Sequence, residues 1–398
     1  MFIFVLMLLV LRACSCDHHR RTNQLPDRST IVHLFEWKWK DIADECERFL
    51  APKGYGGVQI SPPSENVIIH LANGKRTWYE RYQVMSYKLK TRSGDKDDFV
   101  NMTSRCNKVG VRIYADVVFN HMTGDHKGNK GTGGSTADFP NYSYPEVPYT
   151  REHFHYPHCI INNYYDVNQV GSELQNVFRG RNALKWLFSW GEQWGLSPSD
   201  TALTFIDNHD TQRSGNVLTY KESRPYKAAV AFMLSHPYGE PRIMSSYAFD
   251  TADQGPPSDD KDNIIFPSIN EDDTCGNGWV CEHRWRQIYQ MVAFRNAVKY
   301  TAVQNWWDNG DCQIAFSRGE KGFIVFNGEA YPLNATLKTG LPKGEYCDVI
   351  TGKKQRNSCT GTKVTVNDNG LADVYISNDA EDMHLAIHVG IESKIFQK

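Results

Sequence analysis

The chain has 398 residues, 40% hydrophobic and 23% charged, enough for two or three globular domains. Its formal net charge of −2, with no basic block, argues against nucleic acid or an anionic membrane as partner. Aromatic residues make up 12%, including 10 Trp and 20 Tyr, a supply of flat rings suited to a core or to stacking on pyranose faces.

In chain order, residues 2–11 form an apolar run followed by Arg12, Ala13, Cys14, Ser15 and Cys16. The run is too short to span a bilayer and predicts a secretory signal peptide over residues 1–16. No later run approaches the length of a membrane span, so a secreted, extracellular protein is expected. Asn101-Met102-Thr103, Asn141-Tyr142-Ser143 and Asn334-Ala335-Thr336 are glycosylation sequons that fit secretion. Secretion also makes disulfides the default for cysteine. Cys275 and Cys281 close a short loop, Cys347 and Cys359 flank a predicted hairpin, and Cys46 and Cys106 lie on the apolar faces of two predicted helices.

Strands are predicted at 31–37, 56–60 and 111–119, with amphipathic helices at 40–50 and 97–109 between them. That alternation predicts a parallel sheet with crossover helices. Residues 122–166, rich first in glycine and then in Pro, Tyr and His, break the rhythm as a long irregular excursion. A helix at 184–194, a strand at 201–206, a helix at 225–234, a strand at 242–246 and a helix at 285–298 follow. Short strands are then predicted at 313–316, 322–326, 335–337, 346–350, 363–366, 373–376 and 385–388, with turns at Asn327-Gly328 and Asn369-Gly370. This is the pattern of an antiparallel sandwich, a separate domain from about Thr301.

Two strand ends carry chemistry. Residues 204–210 read T-F-I-D-N-H-D, and residues 111–122 read V-R-I-Y-A-D-V-V-F-N-H-M. Carboxylates and an imidazole at a strand's C-terminal end are how barrel enzymes present reactive groups. A polar strand-to-loop turn explains one such end, but two together favour a site. D-V-V-F-N-H at 116–121 resembles the first diagnostic region of the alpha-amylase family of glycoside hydrolases, and 205–210 its fourth. I-V-H-L-F-E-W at 31–37, H-P-Y-G at 236–239 and T-C-G-N-G-W-V-C-E-H-R-W-R-Q-I at 274–288 resemble animal, invertebrate-type members.

The resemblance covers residues 29–170 and 184–389. It implies an α/β fold: a (β/α)8 TIM barrel (17–122 and 167–300), an inserted loop domain (123–166) and a C-terminal antiparallel β-sandwich (301–398). The implied activity is endohydrolysis of α-1,4-glucosidic bonds in starch and glycogen, with retention, by a secreted monomer acting on an alpha-glucan. By that resemblance Asp210 orients the sugar and stabilises the charged transition state, and His121 and His209 hydrogen-bond the same glucose. Trp78, Tyr79, Tyr82 and Gln83 would line the cleft, although from the residues alone the aromatics read equally well as core. Asn120 matches a calcium ligand. Asn208 and Arg242 match two of the groups that hold a chloride ion, and Arg242 alone reads equally as a salt-bridged strand residue. Cys46 and Cys106 pair by resemblance, whereas Cys159 corresponds to a cysteine whose partner this chain lacks, which leaves Cys159 and Cys312 over.

A closed barrel of this class needs eight strands, and only those at 31, 56, 111, 201 and 242 are convincing. Where the family has strands four to six, only residues 171–183 intervene. Neither the G-F-R-x-D motif that carries the nucleophilic Asp nor the Glu that serves as general acid is present, and Glu173 and Glu192 lie in helical or loop context. The chain is expected to be an incomplete barrel, inactive or nearly so, with a non-catalytic glucan-binding protein as the alternative. Val58, Ile60, Ile113, Leu203, Phe205 and Ile243 are expected to lose neighbours across the barrel. The strands at 111–119 and 201–206 are expected to become neighbours by direct pairing.

Overall fold

In the computed structural model, which describes residues 22–124, 130–155 and 169–395, strand β1 (Ser29–Leu34) is buried along its whole length. Helix α1 (Trp39–Glu45) runs into a wider turn at Cys46–Leu50, and Ile42, Ala43, Cys46, Phe49 and Leu50 form the expected apolar face. Strand β2 (Tyr55–Ile60) follows, then α2 (Lys96–Lys108) and β3 (Arg112–Ala115). Asp95 opens α2 with a capping box to Asp98, satisfying N–H groups the first turn would leave bare. The Cys46–Cys106 disulfide ties α1 to α2. The expected leader and Cys159 lie outside the described residues.

After the excursion come α3 (Gln169–Phe178), β4 (Leu203–Thr204), α4 (Ser223–Ser235), β5 (Glu240–Ser245) and α5 (Arg286–Ala297). The sheet order is β3-β2-β1-β5-β4, and every pair is parallel. This is one continuous arc of a TIM barrel in which the last strand lies beside the first, and the gap falls between β3 and β4. The expectation that β3 and β4 pair is overturned: they are the two outer strands of an open sheet. At four and two residues, both are shorter than predicted and offer little ladder to each other.

Most of the expected exposure does not occur. Val58, Ile60, Phe205 and Ile243 stay buried, Ile113 is half-buried, and only Leu203 at the β4 edge is exposed. One new element helps cover the interior. Helix α3, absent from the sequence reading, sets Phe178 against Phe232 of α4 at 6.1 Å and Phe326 of the C-terminal domain at 5.7 Å. The helix predicted at 184–194 is instead two short 3₁₀ turns, Leu184–Ser189 and Glu192–Trp194. Gly191 separates them at φ 121°, a backbone that L side chains rarely adopt.

The C-terminal strands are antiparallel. β6 (Val303–Asp308), β7 (Gln313–Arg318), β8 (Gly322–Asn327) and β15 (His384–His388) form one sheet in the order β15-β8-β7-β6. Facing it are β9 (Leu333–Lys338) with β14 (Leu371–Ile376), and β10 (Gly344–Cys347) with β13 (Lys363–Val366) and β16 (Lys394–Ile395). β11 (Lys354–Gln355) and β12 (Ser358–Cys359) make a small hairpin. The first sheet works on both faces. Phe323, Val325 and Ile387 close the sandwich core, while Ile314, Phe316, Ile324 and Phe326 pack into the barrel core.

Candidate active site

The C-terminal ends of the barrel strands gather most of the predicted site residues. Behind β4, Phe205 and Ile206 are buried and the chain then turns sharply. Asn208 makes that turn: its Oδ1 accepts from the backbone N–H groups of Asp210 and Thr211. The turn projects Asp210 outward, its side chain 64% exposed, with Oδ2 3.6 Å from His209 Nε2. Asp207 points the other way, fully buried, and its Oδ1 accepts from Tyr226 Oη at 3.0 Å. Burial, then the nearby Glu282 carboxyl, pushes the Asp207 carboxyl well above the usual range.

His209 is the centre of an aromatic cluster. Its ring stacks on Tyr82 at 5.1 Å with 1° between planes, and lies 5.6 Å from Trp78 and 5.3 Å from Phe35. Burial lowers its pKa to about 4, with Arg242 and Arg213 working in the same direction and Asp116 against them. The imidazole is therefore neutral at physiological pH, a hydrogen-bonding group and not a charge. Tyr82 Oη donates to Asp116 Oδ2 at 2.8 Å. His121 reaches the same spot by a 2.9 Å hydrogen bond between its Nε2 and the Tyr82 carbonyl. Trp78 and Tyr82 therefore sit in the cluster, whereas Tyr79 turns partly into a satellite core with Val67, Ile69 and Met85. Gln83 accepts from Thr123 Oγ1 at 3.3 Å.

Two residues the sequence reading passed over hold this arrangement. The Arg213 guanidinium lies over the rings of Phe249 (4.3 Å), Trp78 (5.0 Å) and Tyr247 (5.4 Å). It donates to the His209 carbonyl at 3.1 Å and to Tyr247 Oη at 2.8 Å. Arg81, fully buried, bonds Glu36 Oε2 at 3.1 Å and the Pro62 carbonyl at 2.7 Å, which fixes the turn that presents Tyr82. Arg213 stands three places beyond the motif's last residue, Asp210, and Arg81 lies within the segment 78–83 expected at the cleft; those positions were the available signal.

The ion ligands are not assembled. Asn120 is exposed, and among the described residues its side chain hydrogen-bonds only His121, at 3.4 Å. Among the described residues, the one group of three or more acidic, His or Cys side chains close enough to share a metal is Asp311, Cys312 and Glu329 in the C-terminal domain. The described residues thus do not fit a calcium cage at Asn120. Arg242 donates to Gln59 Oε1 at 2.7 Å and covers the Phe205 ring at 4.5 Å. With Asn208 it gives one guanidinium and one amide, beside the Asp116 and Asp207 carboxyls, an incomplete setting for chloride.

A cavity of 490 Å³ lies far from this chemistry, at the N-terminal starts of β1 and β5, lined by Ser29, Glu240 and Arg318 among others.

Residues 304–390 match the family model described as the alpha amylase C-terminal all-beta domain. The chain is 45% identical to an alpha-amylase of Tribolium castaneum over 467 residues, covering 91% of this chain and 94% of the relative. It is 43% identical to an alpha-amylase-related protein of Drosophila pseudoobscura pseudoobscura over 492 residues, covering 98% and 99%. A chain of 398 residues cannot fill 467 or 492 aligned positions, so roughly a hundred positions in each alignment hold a residue only in the relative. The crystal structure of alpha-amylase I from Eisenia fetida superposes with a TM-score of 0.86 at 32% identity, covering 94% of this chain and 99% of that one. A mutant of the Eisenia enzyme in complex with maltohexaose superposes with a TM-score of 0.85 at the same identity and coverage.

Proposed function

The chain belongs to the alpha-amylase family of glycoside hydrolases, and from that premise we propose that its strand-end face holds an alpha-glucan which this chain, as it stands, does not cleave. The observation that carries the binding half is the preassembled cluster of Trp78, Tyr82 and His209 beside the exposed Asp210 carboxylate. Flat rings and a neutral imidazole suit pyranose faces and hydroxyls. The maltohexaose complex of the Eisenia enzyme supports the same class of ligand.

The family reaction is endohydrolysis of α-1,4-glucosidic bonds with retention. It needs a nucleophilic carboxylate and an acid about 5 Å apart across the scissile bond. Here Asp210 is left to orient the sugar and to stabilise positive charge. Asp116 is engaged by Tyr82 Oη, and Asp207 is buried against Tyr226, so neither is free for the missing roles. Calcium and chloride remain what family membership implies; with both ligand sets incomplete, no step runs through either. The disulfides and the leader-like N-terminus support a secreted protein.

We read the chain as the shortened form of a secreted amylase whose catalytic form carries the missing segment. The second reading, a glucan-binding descendant without catalysis, is favoured by the intact aromatic cluster. Two measurements on the secreted chain test the binding and the loss of cleavage that both readings share: reducing-sugar release from soluble starch, and retention on starch granules against a serum albumin control. No release with retention supports the proposal; release at a rate typical of family enzymes, or no retention, overturns one half of it.

A further inference from the structure

We propose that Asn334 carries an N-linked glycan whose first sugar lies on the ring of Tyr375. The proposal rests on the secretion proposed above and on none of the glucan chemistry.

All three sequon asparagines are exposed, but their surroundings differ. Asn101 lies inside α2, on helical backbone. Asn141 sits in a tight 3₁₀ turn, and its amide nitrogen donates to Asp138 Oδ2 at 2.7 Å. Asn334 is on an extended strand, β9, with its carboxamide making no hydrogen bond among the described residues.

The strand alternation points Asn334 and Thr336 to solvent while Leu333 and Leu337 face the core. On the paired strand β14, Asp373 and Tyr375 face outward and Ala372, Val374 and Ile376 inward. The register sets Tyr375 directly opposite Asn334 and Asp373 opposite Thr336. Directly paired side chains on one face lie within contact range. Tyr375 is 60% exposed, a large aromatic side chain left largely without cover. A sugar ring attached at Asn334 would supply that cover, its C–H face against the phenol ring. The Thr336 hydroxyl donates to Asp373 Oδ1 at 2.5 Å, which keeps the third sequon residue on the same outward face.

The modification is a group transfer. The Asn334 Nδ2 displaces a polyprenyl pyrophosphate from the anomeric carbon of a lipid-linked oligosaccharide donor in the secretory pathway. The N–C1 bond forms, the C1–O bond to pyrophosphate breaks, and the amide proton passes to a base of the transferase. The chain itself supplies only the acceptor.

The test is expression of the full chain in a secreting insect cell line, followed by membrane fractionation and peptide mass mapping before and after amidase release of N-glycans. Transfer happens before folding is complete, so protein retained inside the pathway is as informative as secreted protein. The expected result is occupied Asn334, lost in both Asn334→Gln and Thr336→Ala. Unmodified Asn334 in chain recovered from the membrane lumen overturns the proposal. Chain found only in the cytosol overturns the proposed secretion and this inference with it. Limited proteolysis tests the stacking: deglycosylation should speed cleavage of the C-terminal domain in the parent chain and have little effect in Tyr375→Ser. Equal acceleration in both would overturn the contact with Tyr375.

Discussion

Glu65 anchors the inserted loop to the barrel, and its removal gives a sharp prediction. Its Oε1 accepts from the backbone N–H groups of Gly133 (2.8 Å) and Ser135 (2.9 Å). Its Oε2 accepts from the hydroxyls of Ser86 and Ser135, both at 2.6 Å. The loop is built around this carboxylate: a Cβ at Gly131 would stand 2.3 Å from Glu65 Oε1. A hydrogen bond to a charged group contributes about 1.5–3 kcal/mol, and such bonds do not add when they share one acceptor. Glu65→Ala leaves four donors without their acceptor, so a local loss of about 3–5 kcal/mol is expected. Hydrogen exchange at Gly133 and Ser135 should then quicken by roughly two to four orders of magnitude. Burial acts to raise the Glu65 pKa, but the bonds from Ser135, Ser86 and Gly133 hold it below the ordinary value. The contribution is therefore present above about pH 4 and is lost as pH falls through the lowered folded-state value. Exchange at those two amides within threefold of the parent chain, at pH 7, would refute the anchor.

Trp78→Ala should weaken maltohexaose binding at least roughly tenfold by calorimetry, since one ring of the cluster is removed; unchanged affinity would place the sugar elsewhere. Loss of the Cys46–Cys106 bridge, which spans 60 residues, should lower stability by about 4 kcal/mol on the chain-entropy estimate, seen as a lower midpoint in urea. Burial lowers the His384 pKa to about 4, and neither ring nitrogen has a partner among the described residues. The unfolded chain therefore takes up this proton between pH 6.5 and 4 and the folded chain does not, so this histidine costs stability as pH falls across that window. The stability of His384→Phe relative to the parent should rise over the same window, and a constant difference in melting temperature would contradict the sign. Sequencing transcripts across the codons for Val170 and Gly171 should reveal a longer message carrying the segment; only the uninterrupted junction in abundant message would favour the glucan-binding descendant.

The barrel arc was legible because its strands and helices have clean periods. Ile42, Cys46 and Phe49 mark one face of a helix, and α4 and α5 fall within two residues of their predicted bounds. The longer C-terminal strands were legible for the same reason, except β6, whose Gln304 and Asn305 interrupt any alternation; the two-residue β11, β12 and β16 are too short to show a period. The segment after Asn168 was not. A helix at Gln169–Phe178 has an apolar stripe at Leu174, Val177 and Phe178, but its reason to form is tertiary, the packing on Phe232 and Phe326. The opposite error at 184–194 came from reading apolar spacing through Gly191, whose backbone cannot continue a helix. At the site, Asp210, His209 and Tyr82 were readable from motifs. The cage of aromatic rings around Arg213 was not, because Phe35, Trp78, Tyr247 and Phe249 come from three distant segments.

The most direct test of the missing catalytic pair is a comparison of starch hydrolysis by two chains. One is the 398-residue protein. The other carries the corresponding segment of the Tribolium relative, roughly a hundred residues, inserted between Val170 and Gly171. The proposed reading, an arc with Asp210 but without nucleophile or acid, predicts release at background for the first chain. It predicts restored hydrolysis for the second, abolished by Asp210→Asn. Hydrolysis by the shorter chain that Asp210→Asn removes would contradict it, because a catalytic pair would then have to exist within the residues already present.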